Sequence, residues 1–344
     1  MHLTLVIPGL VWKSDALPHP ARELPLPALA ALLGRGEARW LPAADTERRL
    51  ADAFRMTDDE LPWGAVRWAG EGGDPGVDCW MCADPVHLRL AGDRIILADS
   101  RELAITTEEA GRLIEMLNTE LDDALTFQTK TPERWYLRLR ARPDLRTHSI
   151  RQAMGRQVDA LLPEGADARI WRRVISEAQI LLHKHSVNIV RESQGRSAIN
   201  SVWLWGCGGY PRLEPGPANV VVADEPIALG LARAAGIGAE PLPANAHELL
   251  SRHAKSHALI LLDRIERAAA YHDAGDWANG LAELERDWFV PLVRALDSGS
   301  VRRVELDTAG DSARLRVAVR SSDRWKVWRR PRPLHLIQPP AAVS

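Results

Sequence analysis

Cysteine, tyrosine and phenylalanine are scarce in this chain, with three of each in 344 residues. An odd count of three cysteines argues against a disulfide framework. No stretch reaches the roughly 18 apolar residues that a membrane-spanning helix requires. Neither charge dominates: 44 Lys and Arg face 46 Asp and Glu, for a net charge of −2. Nothing global therefore draws the chain to nucleic acid or to an anionic membrane. The opening MHLTLVIPGLVW lacks a basic region and a small-residue cleavage site, so it reads as a first core strand and the expected location is the cytoplasm. There is no P-loop, no G-x-G-x-x-G and no G-x-S-x-G nucleophile elbow. Tryptophan, by contrast, is abundant at thirteen, and bulky indoles of this kind fill core positions.

In chain order, Leu3–Ile7 is an apolar, β-branched run stopped by Pro8-Gly9, hence a strand and a turn. Pro27–Leu33 reads as a helix with proline at its start and Gly34 after its end. Thr46–Met56 reads as a second helix, and Pro62–Gly76 as a loop. Trp80–Leu90 and Arg94–Ala98 pair as a hairpin through Ala91-Gly92-Asp93. Thr106 or Thr107 caps a helix over Glu108–Leu121, Trp135–Ala141 alternates as a half-exposed strand, and Ser149–Leu162 is a further helix. These elements form an inserted α+β domain over residues 77–165, between a first core part (1–76) and a second (166–344).

The second part holds apolar strands at Asn219–Ala223 and Ala258–Leu262, a helix at Pro226–Ala235, and a long helix, Trp277–Leu296, that Pro291 must kink. Val301–Asp307 and Ala313–Arg320 alternate as strands joined by the turn Asp307–Asp311, and Trp325–Trp328 is a short last strand. Alternating strands and helices predict an α/β fold: an open, mostly parallel sheet with helices on both faces.

Function is sought first in Ala168–Gly209. Apolar residues at three- and four-residue spacing make Ala168–His183 an amphipathic helix. A polar segment follows, then a buried strand Asn200–Trp205 closed by Gly206-Cys207-Gly208-Gly209, and a strand ending in a glycine-rich turn is where open α/β sheets place a ligand crevice. His185, Asn188, Arg191, Arg196 and Asn200 supply or position donors, and arginine grips phosphate or carboxylate bidentately. The same composition also suits a solvated loop whose charges pair internally. Cys79-Trp-Met-Cys82 with Asp84 and His87 offers a dithiol or half a zinc site, or simply two half-buried thiols on a strand. His272, Asp273 and Asp276 have the types for a metal site, though Asp276 equally caps the helix at Trp277. The basic, Trp-containing tail Arg324–Arg332 suits a charged strand edge better than a nucleic-acid contact.

The series His185-Ser-Val-Asn188, Arg191, Gly195, Asn200 and Trp203-Leu-Trp-Gly206-Cys-Gly208 resembles that of the archaeal-type cofactor-independent phosphoglycerate mutases. It is still more similar to a bacterial family known as "regulatory protein, RpfE type", with Gly155, Leu162-Pro163 and Glu177–His183 added to the match. The resemblance implies an alkaline-phosphatase-like core carrying a smaller domain, with His185, Asn188, Arg191 and Asn200 near a small phosphoglycerate-like anion. The mutase machinery does not carry over. The first strand ends Ile7-Pro8-Gly9 where the family has Asp-Gly, Asp307-Thr308 stands where it has Asp-His, and Arg35–Leu61 contains no serine to act as nucleophile. Only His272 with Asp273 or Asp276 is similar to the family's mid-chain ligand cluster. The expectation is a catalytically degenerate binding or regulatory protein with no cofactor; Mn or Zn enters only if the ligands have moved and activity persists.

Overall fold

The computed structural model describes residues 1–12, 18–58, 60–92, 94–98, 103–253, 256–310 and 313–338. Asp93 and Asp311, at two expected hairpin turns, lie outside them. In chain order the strands are β1 (His2–Val6), β2 (Glu37–Leu41), β3 (Cys79–Ala91), β4 (Arg94–Ala98), β5 (Leu125–Thr131) and β6 (Arg134–Leu139). They continue as β7 (Ser201–Gly209), β8 (Val220–Val222), β9 (Gly238–Glu240), β10 (His257–Leu261), β11 (Arg303–Asp307) and β12 (Arg314–Arg320). The protein is mixed α/β, with two compact units: Met1–Arg55 with Glu214–Ser344, and Met56–Leu213.

The first unit is built on a seven-stranded sheet in the order β2-β12-β11-β1-β10-β8-β9. β9, β8, β10, β1 and β11 are parallel, while β12 and β2 add an antiparallel edge. Strand alternation divides the two faces. Leu3, Leu5, Ala258, Ile260, Val304 and Leu306 enter a core shared with the helices Pro27–Arg35, Ala246–Arg252, Ala274–Leu284 and Val290–Ser298. The register sets His2, His257 and Arg303 abreast on the other face, with Thr4 beside Glu305 in the next row. The helix Thr46–Ala53 stands on that polar face, tied to it by the bond from Arg49 to Asp307.

The helix expected over Trp277–Leu296 is interrupted by a wider π turn, Glu285–Phe289, just before Pro291. Proline has no N–H to continue the ladder, and the widened turn absorbs the mismatch. It also turns Glu285 inward, where its carboxylate accepts the Ala28 and Leu29 N–H groups at 2.6 and 3.0 Å and so caps a helix whose own Leu26 cannot.

The second unit holds a five-stranded sheet, β4-β3-β6-β5, with β7 paired antiparallel to β3. It is broader than the 77–165 insert expected, because β7 and the helix Ala168–Lys184 pack with β3 rather than with the parallel sheet. The Gly206–Gly209 run is therefore the end of a strand inside this unit and not a crevice turn of the open sheet. Pro62–Gly76 contains a helix, Trp63–Gly70, buried along its whole length; Gly64 lets it sit on β3, since a Cβ there would lie 2.6 Å from the Met81 backbone. Ser149–Leu162 is α-helical only over Ile150–Ala153, before Gly155 turns left-handed at φ 68°, and a 3-10 turn follows at Asp159–Leu161. Strand β5 adds to the expected elements, and 321–325 forms a 3-10 turn where a strand over Trp325–Trp328 was expected. No helix among the described residues is long and apolar enough to cross a membrane.

Candidate functional site

The central segment begins with the helix Ala168–Lys184, which buries Trp171, Ile175, Ala178 and Leu182 along one stripe. It ends at His185, which at once caps the next helix, Ser186–Ser193: its Nδ1 accepts the Val187 N–H at 3.2 Å. Burial, with help from the nearby Arg112 charge, lowers the His185 pKa and keeps the ring in the neutral form that can accept.

Asn188 is fully buried, and its amide is satisfied at both ends. Nδ2 donates to the carbonyls of Leu182 (2.7 Å) and Ile199 (2.8 Å), and Oδ1 accepts the Ile199 N–H at 2.8 Å. Asn200 does the same one step on, accepting the Leu88 N–H and donating to the Leu88 carbonyl, so that its side chain extends the β3–β7 ladder by one rung.

Arg191 is 1% exposed, and each of its three nitrogens donates inside the protein: Nε to Ser197 O, Nη2 to Leu103 O and Nη1 to Glu109 at 2.9 Å. Arg196 donates to the same carboxylate and to Ala104 O. Glu109 closes the helix Thr107–Glu120 in a capping box with Thr106. Burial works to raise its pKa, but the Thr106 N–H and the two guanidiniums outweigh that and hold it below the usual value. The carboxylate that the two arginines grip is thus the chain's own, and each of the five residues expected around a ligand has a hydrogen-bond partner within the protein.

The other candidates separate. Asp273, not Asp276, caps the helix, which starts at Ala274; Asp276 is held by Arg264 at 3.0 Å, and His272 sits apart in a left-handed conformation, edge-on to Trp12. Among the described residues no three His, Cys, Asp or Glu side chains are placed to hold a metal ion. The thiol that approaches Cys79 is Cys207, at 3.8 Å across β3 and β7, rather than Cys82. Asp84 is occupied by Arg67 through two bonds of 2.7 and 2.9 Å and by the Trp205 N–H, and His87 bonds to Ala198 O.

At the carboxyl end of β11, Asp307 is completely buried. Its Oδ2 accepts from Arg49 at 2.7 Å and from both Nε and Nη2 of Arg316 at 3.1 and 3.0 Å. The next residue, Thr308, accepts the Leu315 N–H. β1, beside it in the sheet, runs out through Ile7-Pro8-Gly9 and brings no carboxylate. Arg49 was not legible as a partner of Asp307, because it lies 258 residues away in sequence, whereas Arg316 stands opposite Asp307 in the β11–β12 pair.

A family model described as 2,3-bisphosphoglycerate-independent phosphoglycerate mutase matches residues 85–188. The chain is similar to a Methanothermobacter thermautotrophicus protein named 2,3-bisphosphoglycerate-independent phosphoglycerate mutase 2, 34% identical over 128 residues, which is 36% of this chain and 31% of that one. A Methanosarcina barkeri protein named 2,3-bisphosphoglycerate-independent phosphoglycerate mutase is 31% identical over 114 residues, 32% of this chain and 29% of its own. The matches span about a third of the length of these relatives. A solved structure from Pyrococcus horikoshii, 15% identical, has the same fold with a TM-score of 0.59, covering 97% of this chain and 91% of that one. The chain is thus related to the cofactor-independent phosphoglycerate mutases. The segment matched by the family model lies wholly within the second unit, and Asp307 and Gly9 lie outside it.

Proposed function

We propose that this chain is a catalytically degenerate relative of the cofactor-independent phosphoglycerate mutases, with an alkaline-phosphatase-like core turned to a binding or regulatory role. The regulatory family of RpfE type, which its central stretch resembles, fits that role, as does a cytoplasmic location. The observation that carries the reading is the environment of Asp307. Phosphoryl transfer through an enzyme-bound phosphate requires a nucleophile, and two metal ions to stabilise the attacking and leaving oxygens. Both guanidiniums bond Asp307 through Oδ2, so a divalent cation drawn to its unpartnered Oδ1 would sit beside two positive charges that repel it. No second carboxylate arrives from β1 to offset that repulsion.

The proposal carries no resident metal, and the small anion expected at the central segment gives way to an architectural role for His185, Asn188, Arg191, Arg196 and Asn200. The test is a coupled assay for conversion of 3- to 2-phosphoglycerate, on protein stripped with chelator and resupplied with Mn²⁺ or Zn²⁺. The expected result is no metal-dependent turnover. Turnover that appears with metal and is lost in His272→Ala would overturn the reading and move the active site to relocated ligands around His272.

A further inference from the structure

Within the first unit, a cavity of about 430 Å³ opens on the polar face of the seven-stranded sheet. His2 and His257, from adjacent strands, form one wall with their rings edge to face at 6.0 Å, and His257 Nε2 meets the Thr4 hydroxyl at 3.2 Å. Four arginines line the space: Arg49, Arg55, Arg303 and Arg316. Only two carboxylates line it, Asp52 and Glu305, while Arg49 and Arg316 also pair with the buried Asp307 behind them. Both carboxylates are already engaged. Glu305 is paired with Arg303 at 2.8 Å and Arg316 at 3.2 Å; Asp52 is paired with Arg48 and Arg314, which do not line the cavity.

Arg55 differs from the other three. Among the described residues its guanidinium has no hydrogen-bond or ion-pair partner. Its backbone is left-handed, φ 57°, just past the end of the helix Thr46–Ala53, a position where glycine is ordinarily favoured. A cationic side chain is carried at the mouth despite that backbone conformation. The opposite rim is drawn in tightly: a Cβ on Gly216 would stand 2.7 Å from the Ala53 carbonyl, which brings Pro217 and Ala218 against the helix end.

We propose that this cavity is a binding site for a small metabolite bearing two or more oxyanionic charges, a phosphate ester or a polycarboxylate, with Arg55 as the residue that closes on it. The size lies within the usual range of small-molecule sites, about 300–1,000 Å³. Arginine favours ligands of this charge and planar geometry. The site lies on the polar face toward the amino ends of β1, β10 and β11, and it shares Arg49 and Arg316 with Asp307. It goes beyond the proposed function, since it holds whether or not the chain turns over phosphoglycerate.

The test is a titration of the full chain with pyrophosphate and with citrate, read by calorimetry and by Tm at constant ionic strength, with sodium chloride as the matched control. Saturable binding of pyrophosphate assigns a phosphorylated ligand, and saturable binding of citrate a carboxylate one. Arg55→Gly should weaken that binding by about tenfold or more, the worth of one charge-assisted hydrogen bond. The same variant should leave Tm without ligand unchanged or higher, because glycine relaxes the left-handed backbone; loss of binding is thereby separated from loss of fold. The proposal is overturned if neither anion acts beyond chloride, or if Arg55→Gly binds as the parent does. The two tests stay distinguishable, because the mutase assay reads metal-dependent turnover and this one reads anion binding through Arg55.

Discussion

Replacing Arg191 with methionine separates a ligand-gripping arginine from an architectural one. The substitution keeps an unbranched apolar stem, shortens the side chain and removes every donor. It would strand the Leu103 and Ser197 carbonyls around a side chain only 1% exposed, and take one of three donors from Glu109 Oε2, which keeps the Thr106 N–H and Arg196. Breaking a buried ion pair by removing one partner costs about 3–5 kcal/mol. Bonds from a charged donor are worth about 1.5–3 kcal/mol each. These figures do not add fully, because Glu109 keeps Arg196 and is 16% exposed to solvent. A net loss of about 3–5 kcal/mol is expected, a large share of the roughly 5–15 kcal/mol that stabilises a typical native protein. Urea unfolding should register it, and hydrogen exchange should quicken in peptides covering residues 103–110 and 186–200. Ile189→Ala, on the exposed side of the same short helix, serves as the control and should stay within about 0.5 kcal/mol. Arg191→Met that unfolds within about 1 kcal/mol of the parent, with exchange unchanged, would refute the assignment of these three bonds as structural.

Gly206→Ala should destabilise the second unit by about 2–4 kcal/mol in urea, because the backbone is left-handed at φ 65° and the new Cβ would stand 2.5 Å from Trp63 Cβ; a neutral variant would mean that the helix Trp63–Gly70 moves aside at little cost. Iodoacetamide labelling with peptide mapping should modify Cys79 before Cys207. The hydrogen bond between the two thiols pulls Cys79 down, and the same bond, with burial, pushes Cys207 up; the reverse order would contradict that geometry. Glu109 has a folded pKa below its ordinary 4.5, so its stabilisation is complete above that value and is lost as pH falls through the folded one. The stability difference between the parent and Glu109→Gln should therefore be largest above about pH 5 and shrink toward about pH 3; a difference that grows on acidification would reverse the sign.

Local pattern made much of the secondary structure legible. The apolar run Leu3–Ile7 and the alternation in Val301–Asp307 and Ala313–Arg320 fall on strands β1, β11 and β12, and the apolar spacing of Ala168–His183 falls on the helix Ala168–Lys184. Of the two threonines expected to cap the next helix, Thr106 does so, and its capping box with Glu109 adds to that expectation. These signals concern residues within a turn or two of one another, where backbone geometry alone fixes which side chains share a face. The short helix Trp63–Gly70 was missed for the opposite reason: its turn-like, glycine- and proline-rich surroundings are overridden by burial against β3.

What the sequence alone determined, then, was the kinds of element, the alternating α/β order and the relation to a phosphoglycerate mutase family, since each is written in neighbouring residues. Tertiary structure decided which strand joins which sheet and which charge meets which. β7 could have extended the parallel sheet, and pairing with β3 put the whole central segment in the second unit. Arg191 and Arg196 read equally well as an anion clamp until the fold placed Glu109 between them, 82 and 87 residues away. Asp307 kept the residue type of a metal ligand, and only the packing of Arg49 and Arg316 against it turned that carboxylate into half of a buried ion pair. A side chain's chemistry is fixed by its type, but its role is fixed by what stands within about 3 Å of it, and for these residues that neighbour comes from a distant part of the chain.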